Sequence, residues 1–240
     1  MKYLAILFTI TFSISSFSQT TIQYPSTDNL QITADLYTAK TNDTFILLFH
    51  QAGSSRGEYK EIAPKLNAMG YSCLAVDQRS GNASNGVANQ TKALAEKEGK
   101  KTSFLDAYQD IEASIAYVKK TYSPKKIVIW GSSYSSSLVL KYAGENANAI
   151  QAVMSFSPGE YFGSKNFISQ SAKNIQIPTF ITSAKNEKKG WADIYDAIPS
   201  KKKQEFIPNG SGNHGSSTLW SSKKDHKEYW TAVEAFLKTI

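Results

Sequence analysis

Cysteine is almost absent from this sequence of 240 residues, since Cys73 is the single one. A lone cysteine cannot form an intramolecular disulfide, so the hydrophobic core has to stabilise the fold. Cys73 lies in an apolar stretch, residues 71–76, that is typical of a buried strand. We therefore expect a buried structural thiol rather than a reactive one.

Histidine is scarce as well, with residues at positions 50, 214 and 226. None of them stands at metal-site spacing from cysteines or carboxylates, so the sequence predicts no metal ion and no other cofactor. The chain also lacks a nucleic-acid recognition motif, although 27 basic residues outnumber 20 acidic ones and give a formal charge of +7. Its lysines are scattered in small groups such as 201–203, which indicates a solvated basic surface and no nucleic-acid partner.

After the N-terminus, no apolar run reaches membrane-spanning length. At the N-terminus, Lys2 precedes a short apolar run, residues 4–12, and a small-x-small sequence at 16–18. This order predicts a secretory signal peptide, residues 1–18, and a mature chain that begins at Gln19; an N-terminal anchor or a buried strand is the alternative. We expect a secreted or periplasmic protein without stable membrane insertion.

The mature chain, residues 19–240, has the composition and length of a single globular domain. Apolar stretches that end in turns alternate with segments of helical spacing. Interior strands are predicted at 45–50, 73–76, 127–130, 150–156, 179–183 and 205–207, an antiparallel edge pair at 21–24 and 30–37, and helices at 59–69, 91–97, 104–122, 191–198 and 232–237. The alternation predicts an α/β fold, with a mostly parallel central sheet and helices on both faces.

A strand-to-helix turn within residues 126–141 presents Ser133 as a candidate nucleophile. The β-branched and aromatic run 127–130 stops at Gly131, and a helical pattern starts at Ser133. Such a turn lifts the serine clear of the sheet and places it at a helix N-terminus, where free N–H groups stabilise negative charge. The residues from Gly131 to Ser135 resemble the nucleophile elbow of α/β-hydrolases, Gly-x-Ser-x-Gly, with Ser135 in place of the last glycine.

The resemblance to α/β-hydrolases covers nearly the whole mature chain and implies a catalytic histidine in the loop after the last strand. His214 lies there, in the glycine-rich segment 209–215. His226 competes with it but stands among charged residues at a helix start, which is typical of a solvated surface, so we favour His214.

Residues 50–53, His-Gln-Ala-Gly, resemble the His-Gly-x-x-Gly loop of the same family, with Gln51 in place of a glycine. The resemblance implies that the backbone N–H groups of Ala52 and Tyr134 form the oxyanion hole. It assigns a structural role to His50.

The sequence offers three candidates for the acid that would complete a catalytic triad with Ser133 and His214. The family usually has an aspartate shortly after the strand that corresponds to 179–183, where this chain has Asn186 followed by Glu187. A glutamate can orient an imidazole, so Glu187 is the favoured acid. Asp193, on the following helix, and Glu160, after the strand that follows the turn of Ser133, are the alternatives.

Residues 70–79 resemble a segment of compact dienelactone-hydrolase-like and acyl-esterase members, although dienelactone hydrolases use a cysteine nucleophile where this chain has Ser133. The segment 157–176 is short, so no large cap and an open site are expected. The resemblance implies a serine hydrolase, most simply one that cleaves small-molecule carboxylic esters through an acyl-enzyme. A peptidase or thioesterase of the same fold, or a binding protein with a degenerate site, are the alternatives.

Overall fold

The structure is a computed structural model that describes residues 19–240. The predicted signal peptide, residues 1–18, lies outside the described residues. The strands are β1 (Gln19–Pro25), β2 (Gln31–Tyr37), β3 (Thr44–Phe49), β4 (Ser72–Val76), β5 (Ala83–Ser84), β6 (Val87–Ala88), β7 (Lys126–Ser132), β8 (Ala152–Phe156), β9 (Thr179–Thr182) and β10 (Lys203–Phe206). The helices are α1 (Ile62–Ala68), α2 (Gln90–Lys97), α3 (Tyr108–Tyr122), α4 (Tyr134–Glu145), α5 (Phe167–Ala172), α6 (Lys188–Ala197) and α7 (His226–Leu237).

One 8-stranded sheet has the strand order β1-β2-β4-β3-β7-β8-β9-β10, and β5 and β6 form a separate small ribbon. The pairs β1–β2 and β2–β4 are antiparallel, whereas β4, β3, β7, β8, β9 and β10 run parallel. The predicted mostly parallel sheet is confirmed, and so is the antiparallel pair at its edge.

The interior strands are apolar on both faces because helices cover both sides of the sheet. Along β3, Phe45, Leu47 and Phe49 pack into a core cluster with α3, α4, α5 and α6. Ile46 and Leu48, which point the other way, pack with α1 and α7. Each such fully buried side chain contributes about 1.5–3 kcal/mol, so both clusters are needed to hold the layers together.

The register of the parallel strands aligns their carboxyl ends. Phe49 of β3 pairs with Gly131 of β7, Ser132 of β7 pairs with Phe156 of β8, and Phe156 pairs with Thr182 of β9. The loops that follow these strands therefore leave the sheet at one edge, where sites form in open parallel sheets.

The predicted segments differ from the structure mainly at helix ends. The helix predicted from residue 59 is preceded by a 3₁₀ turn, Arg56–Tyr59, and α1 itself begins at Ile62. The helix predicted from residue 104 likewise starts with a 3₁₀ turn, Leu105–Ala107, before α3. Helix α5 was not predicted; it occupies the short segment after β8, which carries no large cap. Every helix within residues 19–240 is too short or too polar to cross a lipid bilayer.

Candidate active site

Ser133 occupies the turn between β7 and α4 in a backbone conformation that is unusual for a residue with a side chain, with φ 57° and ψ −123°. The turn is tight because strand and helix approach closely at Gly131, where a Cβ would lie 2.3 Å from the carbonyl oxygen of Ser135. The surrounding sheet and helix hold this conformation, and the Ser133 side chain remains half-buried at the sheet edge.

Ser135, which stands where the family motif has a glycine, is fully buried. Its Oγ lies 2.6 Å from both the carbonyl oxygen of His50 and Oε1 of Gln78. The extra hydroxyl can therefore donate to one of these two oxygens, and it packs the turn of Ser133 against the loops that follow β3 and β4. His50 itself is buried and accepts the N–H of Gln78 on Nε2 at 3.0 Å, which is a structural contact.

A chain of hydrogen bonds joins Ser133, His214 and Glu187. His214 Nε2 lies 2.7 Å from Ser133 Oγ, and His214 Nδ1 lies 2.5 Å from Glu187 Oε1. A carboxylate accepts the Nδ1–H, so Nε2 is left without a proton and accepts the hydroxyl of Ser133. The arrangement can draw a proton from the serine as its oxygen attacks an electrophile.

Glu187 ends a 3₁₀ turn, Lys185–Glu187, that follows β9 directly. Its Oε2 accepts the hydroxyl of Ser157 at 2.7 Å and the N–H of Ala184 at 3.1 Å. Partial burial opposes ionisation, but the hydrogen bonds from His214 and Ser157 outweigh it, so the pKa of Glu187 lies below its usual value. The same hydrogen bond raises the pKa of His214 above its usual value, although burial counteracts it.

The alternative candidates lie elsewhere. Glu160 accepts the N–H groups of Ile168 at 2.7 Å and Ser169 at 2.9 Å, so it caps the N-terminus of α5. Asp193 is exposed on α6, and His226 is half-buried at the start of α7. The structure thus brings Ser133, His214 and Glu187 together and leaves these three apart.

The expected oxyanion donors lie on two neighbouring segments of the chain. Tyr134 is the first residue of α4, so its N–H has no partner within the helix. Ala52 is exposed in the loop that follows β3, the strand beside β7. The preceding N–H, of Gln51, is already donated to Glu58 at 2.8 Å.

Ser157 is a contact residue that the sequence did not reveal. Its hydroxyl donates to Glu187, and its Oγ accepts the N–H of Gly215 at 2.9 Å, so it links the acid to the loop of His214. Ser157 also has a positive φ of 59°. The turn-forming residues after β8 are the signal that marks this position, but they do not indicate its partners.

Two of the three large apolar side chains that are exposed in residues 19–240 contact residues beside the site. Phe104, Leu105 and Tyr161 are the large hydrophobic residues exposed in the described chain, each by more than 40%. Phe104 stacks on the ring of Tyr134, next to the serine, at 4.5 Å between centroids. The Tyr161 hydroxyl donates to the carbonyl oxygen of Ser157 at 2.9 Å. Within residues 19–240, no cluster of three or more histidine, cysteine or acidic residues could hold a metal ion.

Residues 40–165, more than half of the chain, match the sequence model of a family described as serine aminopeptidase, S33. The chain is an α/β-hydrolase of this family. This S33-family hydrolase is also 30% identical to the quorum-quenching protein AidA of Acinetobacter baumannii, over 145 residues. That alignment covers 57% of this chain and 43% of AidA, so the chain spans less than half of its curated relative.

Solved structures share the fold of this S33-family hydrolase. The esterase Pf2001 of Pyrococcus furiosus superposes with a TM-score of 0.74 at 18% identity, over 98% of this chain and 97% of the esterase. A dienelactone hydrolase of Anabaena variabilis gives a TM-score of 0.73 at 12% identity, over 93% and 98% of the two chains. At these identities the likeness establishes the fold, and the reaction has to be argued from the site.

Proposed function

We propose that this protein is a serine hydrolase of carboxylic esters, with Ser133 as nucleophile, His214 as general base and Glu187 as the residue that orients His214. The observation that carries the proposal is the unbroken series of hydrogen bonds from Ser133 Oγ to Glu187, at a turn that exposes the serine beside a helix N-terminus.

In the acylation step, Ser133 Oγ forms a bond to the carbonyl carbon of the ester while His214 Nε2 takes the hydroxyl proton. The negative charge that develops on the carbonyl oxygen is stabilised by the N–H groups of Ala52 and Tyr134. His214 then gives its proton to the departing alcohol, which leaves an ester between Ser133 and the acyl group. Water repeats the sequence, with His214 as base, and releases the carboxylic acid.

Ester cleavage fits the site better than removal of an N-terminal amino acid, the activity in the family's description. An aminopeptidase must bind the charged α-amino group of its substrate, usually with a carboxylate. The carboxylates around this site are already engaged: Glu187 holds His214, Glu160 caps α5, and Glu58 is buried. Aminoacyl p-nitroanilides test this alternative, and we expect their cleavage to be slower than that of matched p-nitrophenyl esters.

The mouth of the site indicates an ester that carries an apolar group. Phe104 and Tyr161 leave flat aromatic surface in contact with solvent beside the site, and a substrate group that covers them gains about 25 cal/mol per Å² of apolar area. Est1E of Butyrivibrio proteoclasticus, solved with ferulic acid bound, shares the fold with a TM-score of 0.66 at 15% identity, over 88% and 96% of the two chains.

Labelling with an organophosphonate tests the proposed nucleophile. We expect stoichiometric modification of Ser133, and loss of nearly all esterase activity in Ser133→Ala with an unchanged fold. Ser169→Ala, in α5, is the matched control. Modification at Ser132 instead, or no modification of the wild type, would contradict the proposal and favour a binding protein with a degenerate site.

We also propose that the protein is exported and acts as a mature chain from Gln19, because residues 1–18 have the order of a signal peptide. Intact-mass measurement of the exported protein checks this. A mass that includes residues 1–18 would instead indicate a membrane anchor.

A further inference from the structure

Glu58 is a buried carboxylate next to the nucleophile turn, and the proposed mechanism does not use it. It belongs to the 3₁₀ turn Arg56–Tyr59, and its side chain is 0% exposed. Burying a carboxylate is costly unless hydrogen-bond donors surround it. The hydrogen-bond donors around the Glu58 carboxylate therefore identify the segments of the chain that it holds in position.

The carboxylate of Glu58 joins the loops that carry the site. Its Oε2 accepts the N–H of Gln51 at 2.8 Å, and its Oε1 lies 2.6 Å from Oγ of Ser132. Ser132 Oγ in turn accepts the N–H of Ser216 at 2.8 Å, two residues after His214. Ser132 Oγ therefore acts as acceptor toward the N–H of Ser216 and, through its own hydroxyl proton, as donor toward Glu58.

Close packing leaves little freedom around this carboxylate. Gly215 has a φ of 67°, and a Cβ there would lie 2.5 Å from Ser132 Oγ and 2.9 Å from Oε1 of Gln51. Trp220 Nε1 donates to the backbone carbonyl oxygen of Glu58 at 2.8 Å, a second link between the 3₁₀ turn and the segment that follows His214. The loop of His214 therefore packs directly against residues 50–53, here called the oxyanion loop, and Glu58 lies between the two.

The charge of Glu58 acts on His214. Burial raises the pKa of Glu58 to about 7, although the hydrogen bonds from Ser132 and Gln51 oppose the rise. The titratable groups that interact with this charge are His214, Tyr59 and Tyr134. Burial raises the pKa of both tyrosines far above neutrality, so among these three groups His214 is the one whose protonation responds to this charge near pH 7.

We propose that Glu58 is a positioning residue of this hydrolase: it fixes the oxyanion loop and the loop of His214 relative to Ser133, and its negative charge stabilises protonated His214 during proton transfer. This inference rests on the proposed function. It accounts for a buried charge at a position where a neutral side chain would stabilise the fold at lower cost.

Glu58→Gln tests the proposal because it removes the charge and keeps the shape. The amide oxygen still accepts the N–H of Gln51, and the amide N–H₂ faces Ser132 Oγ, which has lone pairs to accept it. We expect kcat to fall by about tenfold, because proton transfer to His214 loses the stabilisation that this charge supplies, while KM changes little. The acid limb of kcat/KM against pH should move to lower pH, because His214 loses an anion that raises its pKa.

Ser132→Ala and Glu61→Gln are the companion variants. Ser132→Ala breaks the link to Ser216 but keeps the charge, so we expect a lower kcat with the acid limb at its wild-type position. Glu61 is an exposed carboxylate that accepts the N–H of Ser221 at 3.0 Å, outside this network, and Glu61→Gln should behave as the wild type.

Wild-type kcat and an unchanged pH profile in folded Glu58→Gln would overturn the inference. If that variant does not fold, Ser132→Ala decides, and a wild-type kcat there overturns the inference equally. Phosphonate labelling of Ser133 separates the two levels. An unlabelled wild type means that the proposed function fails, whereas a labelled wild type with an unaffected Glu58→Gln means that the inference about Glu58 fails alone.

Discussion

Replacing Glu187 by glutamine should reverse the direction of its hydrogen bond to His214, so that residue 187 donates instead of accepting. A glutamine has a single oxygen, and the contacts of Glu187 decide where that oxygen lies. Two donors, the hydroxyl of Ser157 and the N–H of Ala184, converge on Oε2, whereas His214 alone contacts Oε1. The amide oxygen will therefore take the place of Oε2, and the N–H₂ group will face His214.

An amide N–H₂ at this position donates to Nδ1 of His214 and places the ring proton on Nε2. A protonated Nε2 cannot accept the proton of Ser133, so acylation loses its base. A wrong tautomer of this kind costs about 10⁴ in kcat in a serine-protease triad, or about 5.5 kcal/mol of activation free energy. The side chains of His214 and Glu187 are 43% and 26% exposed, so water substitutes in part for the carboxylate. We expect a loss of about 10²- to 10⁴-fold in kcat with an unchanged KM.

Steady-state hydrolysis of a p-nitrophenyl ester at pH 8 measures this effect, and thermal unfolding confirms that each variant is folded. Glu160→Gln and Asp193→Asn, which remove carboxylates from the two alternative positions, are the matched controls and should keep most of the activity. If Glu187→Gln stays within about tenfold of the wild type while Glu160→Gln is crippled, Glu187 is not the orienting acid.

Three further outcomes are expected. The kcat/KM of the wild type should decline as the pH falls through the pKa of His214, which its bond to Glu187 raises above the usual ~6.5; a decline centred well below that value would contradict the pairing. The folded-state pKa of Glu58 is raised from 4.5 to about 7, so its contribution to stability is complete below pH 4.5 and is lost as the pH rises through 7. Urea unfolding at pH 4.5 and pH 8 measures how much unfolding free energy each protein loses over this range. The loss should be smaller in Glu58→Gln than in the wild type, by up to roughly 3 kcal/mol, and an equal loss in both proteins would refute the raised pKa of Glu58. Phe104→Ala should raise KM several-fold for methyl cinnamate and leave the KM for methyl acetate unchanged, as measured by pH-stat. Equal changes for both esters would show that Phe104 does not contact the apolar group of the substrate.

The layers of the fold could be predicted because they depend on local patterns. The apolar runs that become β3 and β7 are long enough to mark buried strands, and the amphipathic spacing of α3 marks a helix on the sheet. Helix α5 has six residues, too few for a periodic pattern, and its N-terminus is capped by Glu160 from a preceding loop. Short helices fixed by such distant partners do not show in local sequence.

In the candidate site too, residues that follow local patterns could be predicted and residues that depend on distant partners could not. Ser133 and His214 could be placed because each follows a recognisable strand, and Glu187 because it stands at the end of another. Ser157 and Glu58 could not, since their partners are far along the chain: Gly215 lies 58 residues from Ser157, and Ser132 lies 74 residues from Glu58. Their importance depends on the order of strands in the sheet, which local patterns do not determine.

In the proposed mechanism, the absence of a large cap within residues 19–240 decides which nucleophiles can release the acyl group. Because α5 is the helix that the segment after β8 contributes, and His214 is 43% exposed, the ester bond of the proposed acyl-enzyme would be open to solvent. Added methanol should therefore compete with water for the acyl-enzyme in proportion to its concentration and reactivity. The protein should then form methyl esters at a rate that rises with the methanol concentration.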